Sequence, residues 1–334
     1  MPHDVVVVGA SSGGLDPLTK LVGGLPADLP AAVFVVVHVR PDVPSHLPAI
    51  LNRAGLLPAA HAVDGEPIRR GRIYVAPPGL HTYVHRGYIR VARGPYENST
   101  RPAIDPLFRT AAHHYGRRVV GVVLSGALDD GSAGLQAIKR AGGCAIVQDP
   151  GDASFPDMPA SAIERTDVDY RVPAEDLARR VVEIVHCDGS SEVLPVEVPL
   201  ETVEEAPPGE RAARSEHLGR PSGFTCPDCS GALWEIDDGA GLRYRCRVGH
   251  AYSEDAMVSA QTDAVERALW SARRALEERA ALIHKLADHA RRRGHEAVAT
   301  IFDGRSRQMD ADIKAIQEVI AIGRTLEPVG HEGM

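Results

Sequence analysis

The chain opens by alternating short β-branched runs with stretches in which apolar side chains return every three or four positions. Val5-Val6-Val7-Val8 predicts a buried strand. Beyond it Leu15, Leu18, Leu21 and Val22 fall at helical spacing, and the small residues between, Gly9-Ala10-Ser11-Ser12-Gly13-Gly14, predict a sharp strand-to-helix turn. The unit recurs. Ala32-Val33-Phe34-Val35-Val36-Val37 reads as a second strand, followed by helix around Asn52, and Val119-Val120-Gly121-Val122-Val123-Leu124 reads as a third. Leu135, Ile138 and Ala141 then recur as a helix. Such alternation predicts an α/β fold, a doubly wound, mostly parallel sheet in a three-layer αβα arrangement.

After Val185-His186-Cys187 the pattern stops. Asp188-Gly189-Ser190-Ser191, Pro195, Pro199, Pro207-Pro208-Gly209 and six glutamates between Glu192 and Glu210 predict a disordered linker over 188–221. Leu233-Trp234-Glu235-Ile236 and Leu242-Arg243-Tyr244-Arg245 alternate as strands around an Asp237-Asp238-Gly239 turn, a hairpin pattern. Ser253-Glu254-Asp255 caps a helix carrying Val265, Leu269, Ala272, Leu276, Ile283, Leu286 and Ala290 and ending near Gly294. A second helix over 296–322, with Val298, Ile301, Ile313, Ile316 and Ile320, is expected to fold back as a helical hairpin occupying 253–325. Its apolar stripe reads as the hairpin's own core, or else as a dimer seam or docking face. Residues 327–334 are expected to be loose.

At 334 residues and 44% hydrophobic the chain can bury a large core divided over two or three domains. A formal charge of −8 argues against a general nucleic-acid binder. No apolar run reaches membrane-spanning length, and a strand starting at Val5 leaves no signal peptide. A cytoplasmic protein that neither binds nucleic acid nor enters a membrane is expected.

Ser11 is the centre of a G-x-S-x-G turn, which presents a hydroxyl and frees the next N–H, here that of Ser12, for an oxyanion. Alone the pattern also suits phosphate binding or a plain turn. His38 stands where the second strand stops, and Asp129 and Asp130 follow the third. Groups just past strand ends converge in an open parallel sheet, and a hydroxyl, an imidazole and a carboxylate are what acyl transfer needs. Taken singly, His38 reads as a satisfied core histidine and either aspartate as a turn or cap residue. A dinucleotide enzyme is the rival from another class. Gly9 and Gly13 suit its spacing, but Ser11 occupies the second glycine's place, and none of the eight tyrosines is followed four residues on by lysine.

From residue 4 to about 185 the order and spacing of several blocks resemble the catalytic domain of CheB-type protein-glutamate methylesterases. The blocks are Val6 to Gly14, Val36-Val37-His38, Asp64-Gly65, Ile73 to Gly79 with His81, Arg101 to Phe108, Gly121 to Gly126, Asp130-Gly131, Gln148-Asp149-Pro150 and Met158 to Ala162. The resemblance implies a catalytic domain over 1–187, Ser11 as nucleophile, His38 as general base and Asp130, directly before Gly131, as the residue that orients it. It also implies the Ser12 N–H and the Ala127-Leu128 loop as oxyanion site and pocket, with no cofactor for catalysis. The implied substrate is a γ-glutamyl methyl ester on a chemoreceptor helix, and some members deamidate glutamine there. The alternative is a signalling adaptor that binds such helices without turnover. Two positions depart from the family: Val39 and Ala127 stand where it usually has methionine. Members usually carry an amino-terminal receiver domain, which this chain is expected to lack.

Cys226-Pro227-Asp228-Cys229 and Cys246-Arg247-Val248-Gly249-His250 form the second chemical constellation. Three thiolates and an imidazole flanking a hairpin suit tetrahedral structural zinc and predict a zinc-ribbon-like module over 222–252. Cys144 and Cys187 read as incidental thiols. The ribbon and the helices are expected to recruit a partner or a second copy.

Overall fold

The structure is a computed structural model and describes residues 3–41, 43–187, 219–237 and 241–323. The opening β-branched run becomes β1 (Val5–Ala10), followed by α1 (Leu15–Gly23), β2 (Ala32–Val37), α2 (Leu47–Ala54), β3 (Ala59–His61) and β4 (Arg72–Val75). A hairpin, β5 (His81–Val84) with β6 (Ile89–Ala92), interrupts the alternation. It resumes with α3 (Ile104–Tyr115), β7 (Val119–Val123), α4 (Ser132–Arg140), β8 (Cys144–Gln148), α5 (Asp157–Arg165), β9 (Tyr170–Val172) and α6 (Leu177–His186).

Seven strands form one sheet in the order β3-β4-β2-β1-β7-β8-β9, and every pairing in it is parallel. Side chains alternate across a strand, so one run feeds two cores. Val6, Val8 and Ala10 pack with Leu18 and Leu21 of α1, Leu51 of α2 and Leu177 and Val181 of α6. On the other face Val5 and Val7 pack with Ile104 and Phe108 of α3, Leu135 and Ile138 of α4 and Met158 of α5. Burial on both faces explains why these strands are continuously apolar, and the doubly wound α/β architecture is the expected one.

The chain leaves β1 for β2 on one side and later returns to β7 on the other. That reversal opens a crevice at the carboxyl ends of these strands. The ladder continues past them: His38 N–H donates to Ala10 O at 3.2 Å and Ser11 N–H to Ser125 O at 3.0 Å.

In the second half β10 (Arg220–Thr225), β11 (Ala232–Asp237), β12 (Leu242–Cys246) and β13 (Ala251–Ser253) form an antiparallel sheet in that order. β10 begins at Arg220, two residues before the expected start of this module, because Arg220 pairs with Glu235. Residues 188–218 of the expected linker, 238–240 of the hairpin turn and the carboxyl-terminal 327–334 lie outside the described residues. Residues 1–257 make one compact unit. The ribbon is joined to the α/β part by backbone pairing, with Ala251 N–H donating to Tyr96 O at 3.2 Å and Asn98 N–H to Ala251 O at 2.8 Å.

Residues 258–334 are a separate unit. Its two helices, Glu254–Arg292 and Glu296–Gly323, pack through Ala280, Ile283, Met309, Phe302 and Ile313, and Ser306 Oγ lies 2.7 Å from His284 Nε2. The stripe is only partly core: Ile283, Ala290 and Ile320 are buried, whereas Val265, Leu286, Val298 and Ile301 are exposed. A three-to-four period marks a helix without saying how many of its apolar residues find a neighbour. Among the described residues no helix is long and apolar enough to cross a membrane.

Candidate active site

Ser11 follows β1, His38 follows β2, and Asp130 lies in the loop after β7. Because these three strands are neighbours, spaced ~4.8 Å apart, residues 27 and 92 positions from His38 meet at one rim. Ser11 Oγ lies 3.0 Å from His38 Nδ1, and His38 Nε2 lies 2.7 Å from Asp130 Oδ2. A carboxylate only accepts, so the ring proton sits on Nε2 and the Nδ1 lone pair faces the serine hydroxyl. This is the reverse of the ring orientation in the chymotrypsin-type arrangement, where Nε2 faces the serine. Either nitrogen can take a proton from a hydroxyl when the other is fixed.

Asp130, 2% exposed, is surrounded by donors. Its Oδ2 also accepts from Ile104 N–H at 2.7 Å, and its Oδ1 accepts from Asn98 Nδ2 at 2.9 Å and Asp105 N–H at 3.2 Å. Burial pushes its pKa up, but the hydrogen bond and charge of His38, the Ile104 N–H and the Asn98 amide outweigh it, and the carboxyl is held below its ordinary range. Asp105 is pushed the other way, up to about 7, first by burial and then by the charge of Asp130, against the pull of Arg109 and Arg243. The pair therefore keeps its negative charge on the member that faces His38.

Asp129, the neighbouring acid, does not face the histidine. Its Oδ1 accepts from Ser253 Oγ at 2.5 Å, and its Oδ2 pairs with Arg165 at 2.8 Å. Burial, only partly offset by these partners, pushes it up to about 6. A carboxyl raised above its unfolded value binds extra protons in the folded state, so the stability it contributes is lost as pH climbs from about 4 to about 6. The stability advantage of wild type over Asp129→Asn should therefore shrink across that window in denaturant titrations; an advantage that widens with pH contradicts the assignment.

Around Ser11 the turn is tied down from the loop after β7. Ser125 Oγ donates to Ser12 O at 2.9 Å and accepts from Phe155 N–H at 2.9 Å. Gly126 is required by close approach: a Cβ there would meet Met158 Sδ at 2.0 Å and Ser11 Cβ at 2.8 Å. Ser12 is exposed and Ala127 and Leu128 are half-buried, and among the described residues the Ser12 N–H has no acceptor. That N–H, one residue from the serine, can face an oxyanion.

The cysteine cluster forms at a separate place in the ribbon. The ligand atoms of Cys226, Cys229, Cys246 and His250 lie within 4.8 Å of one another. A tetrahedron with metal–sulfur bonds of ~2.3 Å and metal–nitrogen bonds of ~2.0 Å has edges of about 3.8 Å between sulfurs and 3.5 Å between sulfur and nitrogen. Cys229 Sγ to Cys246 Sγ is 3.7 Å, and His250 Nδ1 is 3.5 Å from both Cys226 Sγ and Cys246 Sγ. The four residues fit a metal ion. Tyr252, fully buried, donates to Asp228 at 2.6 Å and reaches Cys226 Sγ at 3.4 Å.

Sequence reasoning missed Asn98, Thr100 and Ser253 at the candidate site. Thr100 Oγ1 lies 3.4 Å from His38 Nε2, and Asn98 touches both buried carboxylates. Ser253 was legible only as a helix cap, which it is, accepting from Ala256 N–H at 3.1 Å. Nothing local in Glu97-Asn98-Ser99-Thr100 marks which of four polar residues turns inward.

A sequence profile described as CheB methylesterase matches residues 6–181. The protein-glutamate methylesterase/protein-glutamine glutaminase 2 of Anaeromyxobacter dehalogenans is 38% identical over 181 residues, which are 54% of this chain and 53% of that protein. A putative protein-glutamate methylesterase/protein-glutamine glutaminase of Leptospira interrogans (serovar copenhageni) is 35% identical over 185 residues, 55% of this chain and 96% of that protein. The crystal structure of the Thermotoga maritima CheB methylesterase catalytic domain superposes with a TM-score of 0.52 at 30% identity, covering 55% of this chain and 99% of that one. The match thus spans about half the length of the Anaeromyxobacter relative and leaves the ribbon and long helices outside the matched residues.

Proposed function

The chain belongs to the CheB methylesterase family, and on that premise we propose that it hydrolyses glutamyl γ-methyl esters on chemoreceptor-type signalling helices in the cytoplasm. The observation that carries this reading is the unbroken hydrogen-bond chain from Ser11 through His38 to Asp130, at 3.0 and 2.7 Å. Ser11 Oγ attacks the ester carbonyl, its proton passes to His38 Nδ1, and the Ser12 N–H faces the oxyanion. The same proton then goes to the departing methoxide, leaving methanol and an acyl-enzyme. Water attacks the acyl carbon as His38 takes its proton. Collapse frees the glutamate carboxyl and returns the proton to Ser11. Asp130 fixes the tautomer and stabilises the imidazolium between steps. Attack on a glutamine γ-amide by the same route releases ammonia, so deamidation is the companion activity.

An adaptor that only holds receptor helices has no need of a serine bonded to a histidine that is bonded to a buried, ionised acid. The test is release of labelled methanol from a receptor fragment methylated with a labelled methyl group. Time-dependent release is expected, and silence on every methylated receptor helix supplied would defeat the proposal.

For the ribbon we assign zinc, which three thiolates and one imidazole select and which such a closed site holds for structural purposes. Elemental analysis of the purified full chain should give one zinc per molecule, and Cys246→Ser should lose it together with a drop in melting temperature. A chain that purifies metal-free with an unchanged melting profile would count against the assignment.

A further inference from the structure

A second hydrogen-bond chain runs from the ribbon to Asp130. The Asn98 amide donates to Asp130 Oδ1 at 2.9 Å and to Asp105 Oδ2 at 3.2 Å, and its oxygen accepts from the Ser253 N–H at 2.9 Å. Turning the amide over would set its NH2 against that N–H and its oxygen against the Asp130 carboxylate, so the orientation is fixed by its surroundings. The backbone of Asn98 is held as well, with its N–H on Ala251 O at 2.8 Å. It stands at φ 50°, a left-handed conformation that asparagine tolerates and most residues do not.

The ribbon also brings charge. Arg243 and Arg245 of β12 are 6% and 3% exposed, and both act on buried Glu97, whose pKa falls despite its burial under the charges of Arg109, Arg245 and Arg243. On the far side of β13, Arg165 ties Asp129 to Asp255 at 2.8 and 3.2 Å. Every polar group that Ser253 brings to this place is used: its N–H on Asn98 and its hydroxyl on Asp129.

Asp130 Oδ1 has two donors and Oδ2 has two, one of them His38. Without Asn98 one oxygen keeps a single long bond, at 3.2 Å, and the carboxylate is free to rock away from the imidazole. We propose that Asn98 is a positioning residue for Asp130 and that strand β13 of the ribbon holds Asn98 in place, so that the cysteine-rich module is a working part of the esterase site. The proposal rests on the reading of Ser11, His38 and Asp130 as the reacting groups.

The test uses the full chain and two readouts that need no receptor: the rate at which a serine-directed phosphonate labels Ser11, and the downfield proton resonance of the His38 Nε2–H bonded to Asp130. Asn98→Gly removes the amide while suiting the positive φ. It should slow labelling by about 10- to 100-fold, the range met when a hydrogen-bond partner that orients a metal-binding side chain is lost, and shift or broaden the downfield resonance. Ser253→Pro removes the N–H, and with it the hydroxyl on Asp129, and should do the same. The double variant should be no slower than Asn98→Gly alone, because both changes act on Asp130 through the one Asn98 amide. If Ser253→Pro yields no soluble protein, Cys246→Ser, which loosens the ribbon that carries β13, takes its place with the same expected loss.

Wild-type labelling and resonance in Asn98→Gly would overturn the positioning role. Full rates in the ribbon variants, or additive losses in the double variant, would overturn the ribbon's part. Failure of wild type itself to be labelled at Ser11 would instead sink the underlying reading of the triad.

Discussion

Alanine at Ser11 is expected to cut methyl-ester turnover by about a millionfold, the loss met when the serine of an unrelated Ser-His-Asp hydrolase is removed. The fold should survive. The change deletes one hydroxyl whose bond to His38 is part-exposed and is therefore worth roughly 1 kcal/mol of stability, and it keeps the Cβ that packs beside Gly126. Loss of turnover with a melting temperature lowered by no more than about 4 °C would place the hydroxyl in the chemistry and not in the scaffold. Turnover within tenfold of wild type would mean that another nucleophile does the work.

Asparagine at Asp130 is expected to cost about 10⁴-fold in kcat, as the equivalent change does in a serine protease. The argument here comes from the donors. Both carboxylate oxygens face N–H groups, from Ile104 and His38 on one side and from Asn98 and Asp105 on the other. An asparagine NH2 must confront one of these pairs. If it faces His38, the ring proton moves to Nδ1 and the serine loses its acceptor; if it faces Asn98, two donors are buried against a third at about 1–3 kcal/mol. Both orientations bury donor against donor, at Ile104 in the first and at Asn98 and Asp105 in the second, and only the first also displaces the ring proton. A fall in melting temperature is therefore expected either way, and the size of the kcat loss shows which is taken. A variant with neither loss would remove Asp130 from the account.

Much of this was legible because the relevant physics is local. Val5-Val6-Val7-Val8 is apolar at both parities, which implies burial on both faces and hence helices on both sides, as the two cores bear out. Ser11 and His38 each directly follow such a run, and parallel-sheet topology alone makes residues at strand ends neighbours. The cysteine pairs were visible as a spacing before the structure drew their sulfurs to tetrahedral distances.

What could not be read depends on contacts between distant segments. Asn98 and Ser253 are 155 positions apart, and the ribbon's antiparallel sheet gives no sequence sign that its last strand pairs with 96–98. The ring orientation of His38 follows from where Asp130 and Ser11 stand around it, and no spacing encodes that. In the long helices the period was plain, yet Val265 and Ile301 remain exposed while Ile283 is covered, because coverage depends on which faces the two helices turn toward each other.

The most direct measurement is to incubate the full chain with a serine-directed phosphonate, then determine the intact mass and map the modified peptide. The account predicts one adduct, on Ser11, which is absent from Ser11→Ala and slowed in Asp130→Asn. No adduct, or an adduct on a different serine with Ser11 untouched, would contradict it.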